Sequence, residues 1–297
     1  MEKVIDLHIH TNQSDGVLSP REVIDYAIKH NINTISITDH DSIDAYTKDL
    51  FEYAKKKEIK LITGVEISTK TKKCGIHVLG YNIDINNTVL NKKLNSLKNA
   101  RHDYLINVSN KLYELGYIVN VEELDKLEIV TKGHIARNVI NNNKNKELLI
   151  KEFGYVPEMG EFIETIMNEG CKAYIKKETI TPIEAAELIR EAGGKVVLAH
   201  PVAYQYEDSL TNEEIENIII DMKADGIESY YIYTDRNNKK INDINVWNEI
   251  AKKHNLITTI GSDFHYEDNI HTKIGLIDEN IIITKEQVDN IIENINN

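Results

Sequence analysis

The sequence predicts an α/β barrel interrupted by one helical insertion. Three observations carry this. Strand-like and helix-like stretches alternate up to about residue 86 and again from about residue 177. Residues 87–176 between them read almost entirely as helix, with Leu94, Leu97, Leu105, Val108 and Leu112 near helical spacing. Histidines and acidic residues recur at the C-terminal ends of the strand-like runs, the end at which parallel barrels carry their chemistry. The expected division is 1–86 with 177–297 for the barrel and 87–176 for an insertion covering its catalytic face.

The elements follow in order. Val4–His10 is a strand pattern, and Ser19-Pro20-Arg21-Glu22 is a capping box that opens a helix to about His30. Thr34–Thr38 is a second strand, with a helix around Ala45–Lys57; Lys60–Ile67 and Gly75–Ile83 are the third and fourth strands. After the insertion, Thr181-Pro182-Ile183-Glu184 caps a helix that ends at Gly193-Gly194, and Lys195–His200 is a strand. Thr211–Glu214 caps the next helix before the strand Gly226–Tyr231. A helix near Asn242–His254 precedes the strand Leu256–Asp263, and Thr284 to Gln287 caps a last helix. About seven βα-type units favour a parallel sheet closed into a barrel. No GxGxxG or GxxxxGK[ST] supports a nucleotide-cofactor fold.

Composition narrows the function classes. The chain has 297 residues, 41% hydrophobic and 28% charged, with a formal net charge of −13. That is a globular composition and a poor one for duplex nucleic acid, which needs clustered Lys and Arg. No stretch approaches the ~20 apolar residues of a membrane span, and no basic-then-apolar leader opens the sequence, so a cytoplasmic protein is expected. Cys74 and Cys171 form no framework and are expected to be buried thiols.

Along the first strand, side-chain alternation puts Asp6, His8 and His10 on one face and Ile5, Leu7 and Ile9 on the other. Two imidazoles roughly 6–7 Å apart at their backbones can converge on one cation. The same chemistry recurs in Asp15, in Thr38-Asp39-His40-Asp41, in Gly64-Val65-Glu66, in His77, in Ala199-His200-Pro201 and in Ser262-Asp263-Phe264-His265. Buried charges at several neighbouring strand ends are costly unless something pairs them, and divalent metal is the simplest partner. Mixed imidazole and carboxylate donors without thiolates suit Zn, Mn or Fe. The set exceeds what one ion needs, so two or three are expected. Their charge outweighs Asp15, Glu66 and Asp263, leaving a site attractive to phosphate despite the acidic chain. Asp6 and Asp39 read as groups that orient ligand imidazoles. Asp41 and Glu228 have weaker claims. His30, His102 and His254 lie on expected helices and read as structural, and His271 sits in a loop.

In order and in kind, these motifs resemble those of the PHP (polymerase and histidinol phosphatase) superfamily. The resemblance spans nearly the whole chain and implies a distorted (β/α)7 barrel with a trinuclear metal site. One ion would be held by His8, His10, Glu66 and Asp263, a second by Glu66, His77 and His200, and a third by Asp15, His40 and His265. Thr131-Lys132-Gly133-His134-Ile135-Ala136-Arg137 and Ala173-Tyr174-Ile175 look like the inserted domain of members that dephosphorylate nucleoside 3′,5′-bisphosphates or trim short oligonucleotides from the 5′ end. By that likeness Arg137, His134, Arg101 and Lys132 would face substrate phosphates. The sequence departs from the pattern at Tyr104, where a second basic residue is expected, and at Lys132, where Arg is common.

The implied reaction is attack on phosphorus by a metal-bridging water, with His265, His200 or an Asp39-linked water serving the leaving oxygen. The alternatives are a histidinol-phosphate phosphatase, an amidohydrolase-type enzyme, which lacks a place for Asp15 and His265, and a non-hydrolytic metal-binding module. Substrate, metal identity and oligomeric state are not set by the sequence.

Overall fold

The computed structural model describes residues 4–124, 130–176, 179–235, 237–267, 273–275 and 283–296, and no side chain for Val4 or Arg101. His271 and the side chain of Arg101 therefore lie outside the described residues. The chain forms two compact units, Met1–Asn95 with Thr179–Asn297, and Ser96–Glu178.

In the first unit β1 (Val4–Ile9), α1 (Pro20–Lys29), β2 (Ile32–Ile37), α2 (Lys48–Lys56), β3 (Lys60–Lys70) and β4 (Gly75–Tyr81) come first. The long helix α3 (Thr88–Glu114) begins in this unit and continues into the second, which adds α4 (Val121–Leu124), α5 (Lys132–Asn141), α6 (Lys146–Phe153) and α7 (Met159–Phe162). The first unit resumes with α8 (Pro182–Glu191), β5 (Lys195–Leu198), α9 (Pro201–Glu207), α10 (Asn212–Met222) and β6 (Gly226–Tyr230). A small hairpin of β7 (Tyr233–Thr234) and β8 (Lys240–Ile241) precedes α11 (Ile244–His254), β9 (Ile257–Ile260) and α12 (Lys285–Asn296).

Local chemistry explains the helix starts. Ser19 with Glu22, Thr181 with Glu184, and Thr211 with Glu214 all form reciprocal capping boxes, and Pro20 and Pro182 occupy first-turn positions whose N–H would be unpaired anyway. Thr284 and Gln287 cap α12 in the same reciprocal manner.

Seven strands form one sheet in the order β1-β2-β3-β4-β5-β6-β9. The bridge between Ile9 and Phe264, with His10 N donating to Phe264 O at 2.9 Å, brings the segment after β9 against β1 and completes a distorted (β/α)7 barrel. Ile5 and Leu7 share a core with Ile62, Leu79, Val197, Ile260 and, from α12, Val288, Ile291 and Ile295.

One strand departs from the expected run of parallel βα units. β4 is antiparallel to both neighbours: Gly75 pairs with Lys70 at one end and Tyr81 with Lys195 at the other. The connection Thr71–Cys74 is far too short for a parallel crossover, which takes about a dozen residues. Two consequences follow. His77, early in β4, lies opposite Ser68 at the end of the barrel where Glu66 sits. The chain also leaves β4 at the opposite end, not at the catalytic face as a uniformly parallel barrel would have it. It rejoins the sheet through the bridge between Ile180 and Thr69.

The second unit has its own core, built on Leu105, Val108, Leu112, Tyr117, Ile135, Val139, Leu149 and Phe162. The first turns of α3, including the buried Leu90 and Leu94, belong to the barrel unit, so this unit begins at Ser96 rather than at residue 87. Among the described residues no helix is long and apolar enough to cross a membrane. Cys74 is buried, Cys171 is partly exposed, and both are free thiols.

Candidate active site

Glu66 is the hub of the site. It is fully buried in the second half of β3, and five imidazoles surround it. Its Oε2 lies 3.0 Å from His40 Nδ1, 3.2 Å from His10 Nε2 and 3.3 Å from His8 Nε2. Its Oε1 lies 3.1 Å from His77 Nδ1 and 3.1 Å from His200 Nε2. Asp263 Oδ1 stands 3.1 Å from His10 Nε2 and 3.3 Å from His8 Nε2, and those two imidazole nitrogens are 3.1 Å apart. Asp15 faces the other side of His10, at 3.3 Å from its Nδ1, and also His265 Nε2 at 3.2 Å and His40 Nε2 at 3.7 Å. All nine residues expected as metal ligands thus come together in one cluster.

The donor atoms form three groups in which every atom lies within 4.8 Å of the others: His8, His10, Glu66 and Asp263; His10, Asp15, His40 and His265; and His40, Glu66 and His77. The first has the membership the sequence motifs imply. The second contains the implied trio plus His10, and the third sets His40 beside Glu66 and His77 where His200 was expected. His200 still touches Glu66, but its ring centroid is 5.3 Å from that of His77 and edge-on to it.

These groups fit metal ions on structural grounds. Glu66 Oε2 and the Nδ1 atoms of His40 and His77 are buried and make no hydrogen bond, although imidazole and carboxylate donors lie within about 3 Å. These atoms face one another without a hydrogen bond. Four donors arranged as a tetrahedron on bonds of about 2.0–2.2 Å would sit roughly 3.3–3.5 Å apart. Five of the six donor pairs in the first group, at 3.1–3.3 Å, are close to that spacing.

The charge pattern is that of a site primed for cations. Burial alone would lower the His8 and His10 pKa values, yet Glu228, Glu66 and Asp263 around His8, and Asp15, Asp263 and Glu66 around His10, hold both well above the usual imidazole range. Burial would raise Glu66, but His40, His8 and His77 hold it well below the usual carboxylate range; Asp263 is held down in the same way by His8, His265 and His10. Burial lowers His40 to about 4.

Other side chains fix these donors in place. Glu228, buried in β6, accepts from His8 Nδ1 with both oxygens, at 3.0 and 3.1 Å, and from His200 N at 2.9 Å. The first contact sets the tautomer that turns the His8 Nε2 lone pair towards the cluster. Glu228 is therefore a central positioning residue, although its strand context alone gave it a weak claim. A carboxylate midway along the short, otherwise uncharged run Gly226–Tyr230 was the available signal, because such a group cannot be buried unpaired.

Asp6 does not orient an imidazole as expected. Its oxygens accept from the backbone N of His8, Ser262 and Gly275 and from the Ser262 hydroxyl, so it anchors the turn that carries Asp263. Burial still raises it to about 6. Asp39 is 1% exposed and accepts from Thr11 N, Thr11 Oγ1 and Ser14 Oγ at 2.6–2.7 Å. It reaches His10 only through Ser14, whose Oγ is 3.3 Å from His10 Nδ1. Asp39 thus holds the turn after β1. Asp41 pins β3 by accepting from Ser68 N at 2.9 Å.

The backbone is strained where the donors gather. Asp41, His200 and Asp263 have φ of 47°, 24° and 54°. Non-glycine residues rarely adopt this region, at a cost of about 1–3 kcal/mol each, and such strain concentrates at functional sites. Gly261, by contrast, is required by space: a β-carbon there would run into the Glu228 carboxylate and His8 Cβ. Gly261→Ala is expected to destabilise the fold by about 1–3 kcal/mol through overpacking. It should also weaken metal binding. Thermal denaturation and metal titration of the variant check both effects, and an unperturbed variant would show that Glu228 and His8 can shift freely.

The PHP domain profile matches residues 6–296. The chain belongs to the PHP domain family. Among curated relatives of this PHP chain, a 5′-3′ exoribonuclease of Haemophilus influenzae is 32% identical over 272 residues, covering 90% of this chain and 91% of the relative. A 3′,5′-nucleoside bisphosphate phosphatase of Chromobacterium violaceum is 27% identical over 265 residues, covering 88% and 87%. Among solved structures, one named an amidohydrolase, from Chromobacterium violaceum, with bound sulfate and no metal, superposes with a TM-score of 0.66 at 25% identity, covering 92% of each chain.

In the second unit of the PHP chain, Thr131 and His134 form a capping box at the start of α5, with His134 Nδ1 accepting from Thr131 N at 3.3 Å. Lys132 Nζ donates to Asn168 Oδ1 at 2.9 Å. Arg137, one turn on, is exposed. His134 and Arg137 line one open groove of about 760 Å³ together with Asn138, Asn141 and Lys144.

Proposed function

We propose that this PHP chain is a metal-dependent phosphoester hydrolase that releases phosphate from nucleoside 3′,5′-bisphosphates and also trims short oligonucleotides from the 5′ end. The observation that carries the reading is the convergence of five imidazoles on the buried Glu66, where its Oε2 and the Nδ1 atoms of His40 and His77 make no hydrogen bond. The names of the Haemophilus and Chromobacterium relatives support the substrate class, and the sulfate in the Chromobacterium structure supports an oxyanion as ligand of that fold.

Two or three divalent ions, Mn, Zn or Fe, are proposed: one on His8, His10, Glu66 and Asp263, one on Glu66 and His77 with His200 or His40, and one on Asp15, His40 and His265. Bound there, such ions lower the pKa of water and neutralise phosphate oxygens as charge develops. The chain's own residues do the rest. Glu66 sits between the groups and fixes their separation. Glu228 and Ser14 orient His8 and His10. The expected partners for the leaving oxygen are His200, His265 and an Asp39-linked water; of these His265 lines an open cavity beside the cluster.

Arg137, His134, Arg101 and Lys132 remain the proposed contacts for the substrate's other phosphate. Arg137 is best suited, because its guanidinium is exposed and can grip phosphate with two parallel hydrogen bonds. Arg137→Ala is expected to raise KM about 10–100-fold with little change in kcat, since it removes binding common to ground and transition states. Steady-state kinetics check this; an equal loss in kcat with KM unchanged would contradict it. The acidic chain fits small phosphorylated substrates better than duplex nucleic acid, and cytoplasmic work is proposed on the same composition.

The deciding experiment is phosphate release from a panel containing adenosine 3′,5′-bisphosphate, short oligoribonucleotides and histidinol phosphate, with elemental analysis of the same preparation. Nucleotide hydrolysis with bound Mn, Zn or Fe supports the reading. Exclusive turnover of histidinol phosphate favours the histidinol-phosphate alternative, deamination without phosphate release an amidohydrolase, and metal loading without any hydrolysis a binding module.

A further inference from the structure

Beside the metal cluster the barrel unit opens into a cavity of about 300 Å³. Asp263 and His265 belong to its inner wall, and Glu207, Tyr231, Tyr233 and Tyr266 line its outer part. The size is at the lower end of the roughly 300–1,000 Å³ of small-molecule sites.

The outer part differs in chemistry from the metal side. Tyr231 is packed at a tilt against His200, with ring centroids 5.6 Å apart, so the aromatic lining begins directly at a donor of the cluster. Tyr233 is buried and held from behind by Tyr206, at 6.0 Å between nearly parallel rings. Tyr266 is 43% exposed, follows the cluster residue His265 directly, and lines the cavity. Among the described lining residues there is no Lys or Arg. The exposed Glu207 supplies the negative charge of this part, and its Oε1 accepts from the Tyr233 hydroxyl at 3.0 Å.

Among the described lining residues a second phosphate would meet a carboxylate and no Lys or Arg. An uncharged planar ring would meet phenol faces suited to stacking. A carboxylate at the rim accepts hydrogen bonds and so favours a ring bearing an amino group. We propose that this cavity holds the nucleobase of the substrate, with Tyr266 stacking on it and Glu207 accepting from its exocyclic amino group. The inference rests on the nucleotide reading above and adds to it a base subsite on the barrel, away from the residues proposed for the second phosphate.

The test compares kcat/KM for adenosine, cytidine and uridine 3′,5′-bisphosphates and for 1,4-anhydroribitol 3,5-bisphosphate, the same sugar without a base, using the metal-loaded full chain. The wild type is expected to prefer adenosine over the base-free compound by at least about tenfold, as stacking on an aromatic side chain implies. It should prefer cytidine, with its 4-amino group, over uridine by roughly tenfold. Tyr266→Ala should reduce the first ratio about tenfold, and Glu207→Gln, isosteric and exposed, should bring the second to within about threefold of unity. Ratios that are flat in the wild type, or that neither variant moves, overturn the base subsite while leaving nucleotide hydrolysis standing. Absence of phosphate release from all four compounds overturns the nucleotide reading, and the subsite with it.

Discussion

Glu66→Gln is expected to lower kcat for phosphate release by roughly a thousandfold, with no recovery at high metal concentration. The reason lies in the number of groups this one carboxylate serves. Each oxygen faces at least two imidazole nitrogens at 3.0–3.3 Å, and it belongs to two of the three donor groups. An amide keeps the volume but replaces one acceptor with an N–H donor and removes the charge. That N–H would either cap an imidazole lone pair that a metal ion needs or point at the ion itself, and either weakens metal binding. Loss of several kcal/mol of charge stabilisation in the transition state corresponds to about a thousandfold in rate. His8→Ala and Asp263→Ala, which each remove a donor of the first group, should likewise abolish measurable hydrolysis. Steady-state assays over a range of metal concentrations check all three, and near-normal turnover in any of them would contradict the assignment.

Glu228→Gln is expected to behave differently. Glu228 is in none of the three donor groups; it accepts from His8 Nδ1 and ties down the backbone of His200. Gln can still accept one hydrogen bond but cannot take His8 Nδ1–H with both oxygens. Partners of this kind typically cost about 10–100-fold in metal affinity when replaced. The variant should therefore need about 10–100 times more metal for half-maximal activity and regain most of its kcat at saturation. Recovery by excess metal separates a residue that positions a ligand from one that is a ligand. A variant with an unchanged metal requirement would show that His8 is held by other means.

The contrast between these two acids also shows where sequence reasoning succeeds. His8 and His10 were legible because strand alternation is local: two residues apart on one strand means one face, and the structure puts their Nε2 atoms 3.1 Å apart. The capping boxes at Ser19, Thr181 and Thr211 were legible for the same reason, since their partners are three residues away. Glu228 acts across 220 residues of chain, and no local pattern carries such a contact. Asp6 looked like a partner for imidazoles because it precedes them on one face, yet backbone N–H groups of Ser262 and Gly275 claim its oxygens.

The reversed direction of β4 was legible in principle from the short connection Thr71–Cys74, but the repeated strand-and-helix rhythm elsewhere outweighed it. That reversal explains why the ligand-type histidine of this strand stands near its start, whereas those of β2 and β5 follow their strand ends. It also moves the exit of the inserted segment to the other end of the barrel. The third partner of Glu66 and His77 is decided among His40 and His200, whose ring centroids lie 4.8 and 5.3 Å from that of His77, a difference below what residue spacing can resolve.

The most direct measurement of the central claim is an anomalous-scattering map from crystals grown with manganese. Peaks are expected within bonding distance of Glu66, with one enclosed by His8 Nε2, His10 Nε2 and Asp263 Oδ1 and another beside Asp15, His40 and His265. A map with no peak inside this ring of side chains, from a preparation that hydrolyses nucleotides at full rate, would contradict the account.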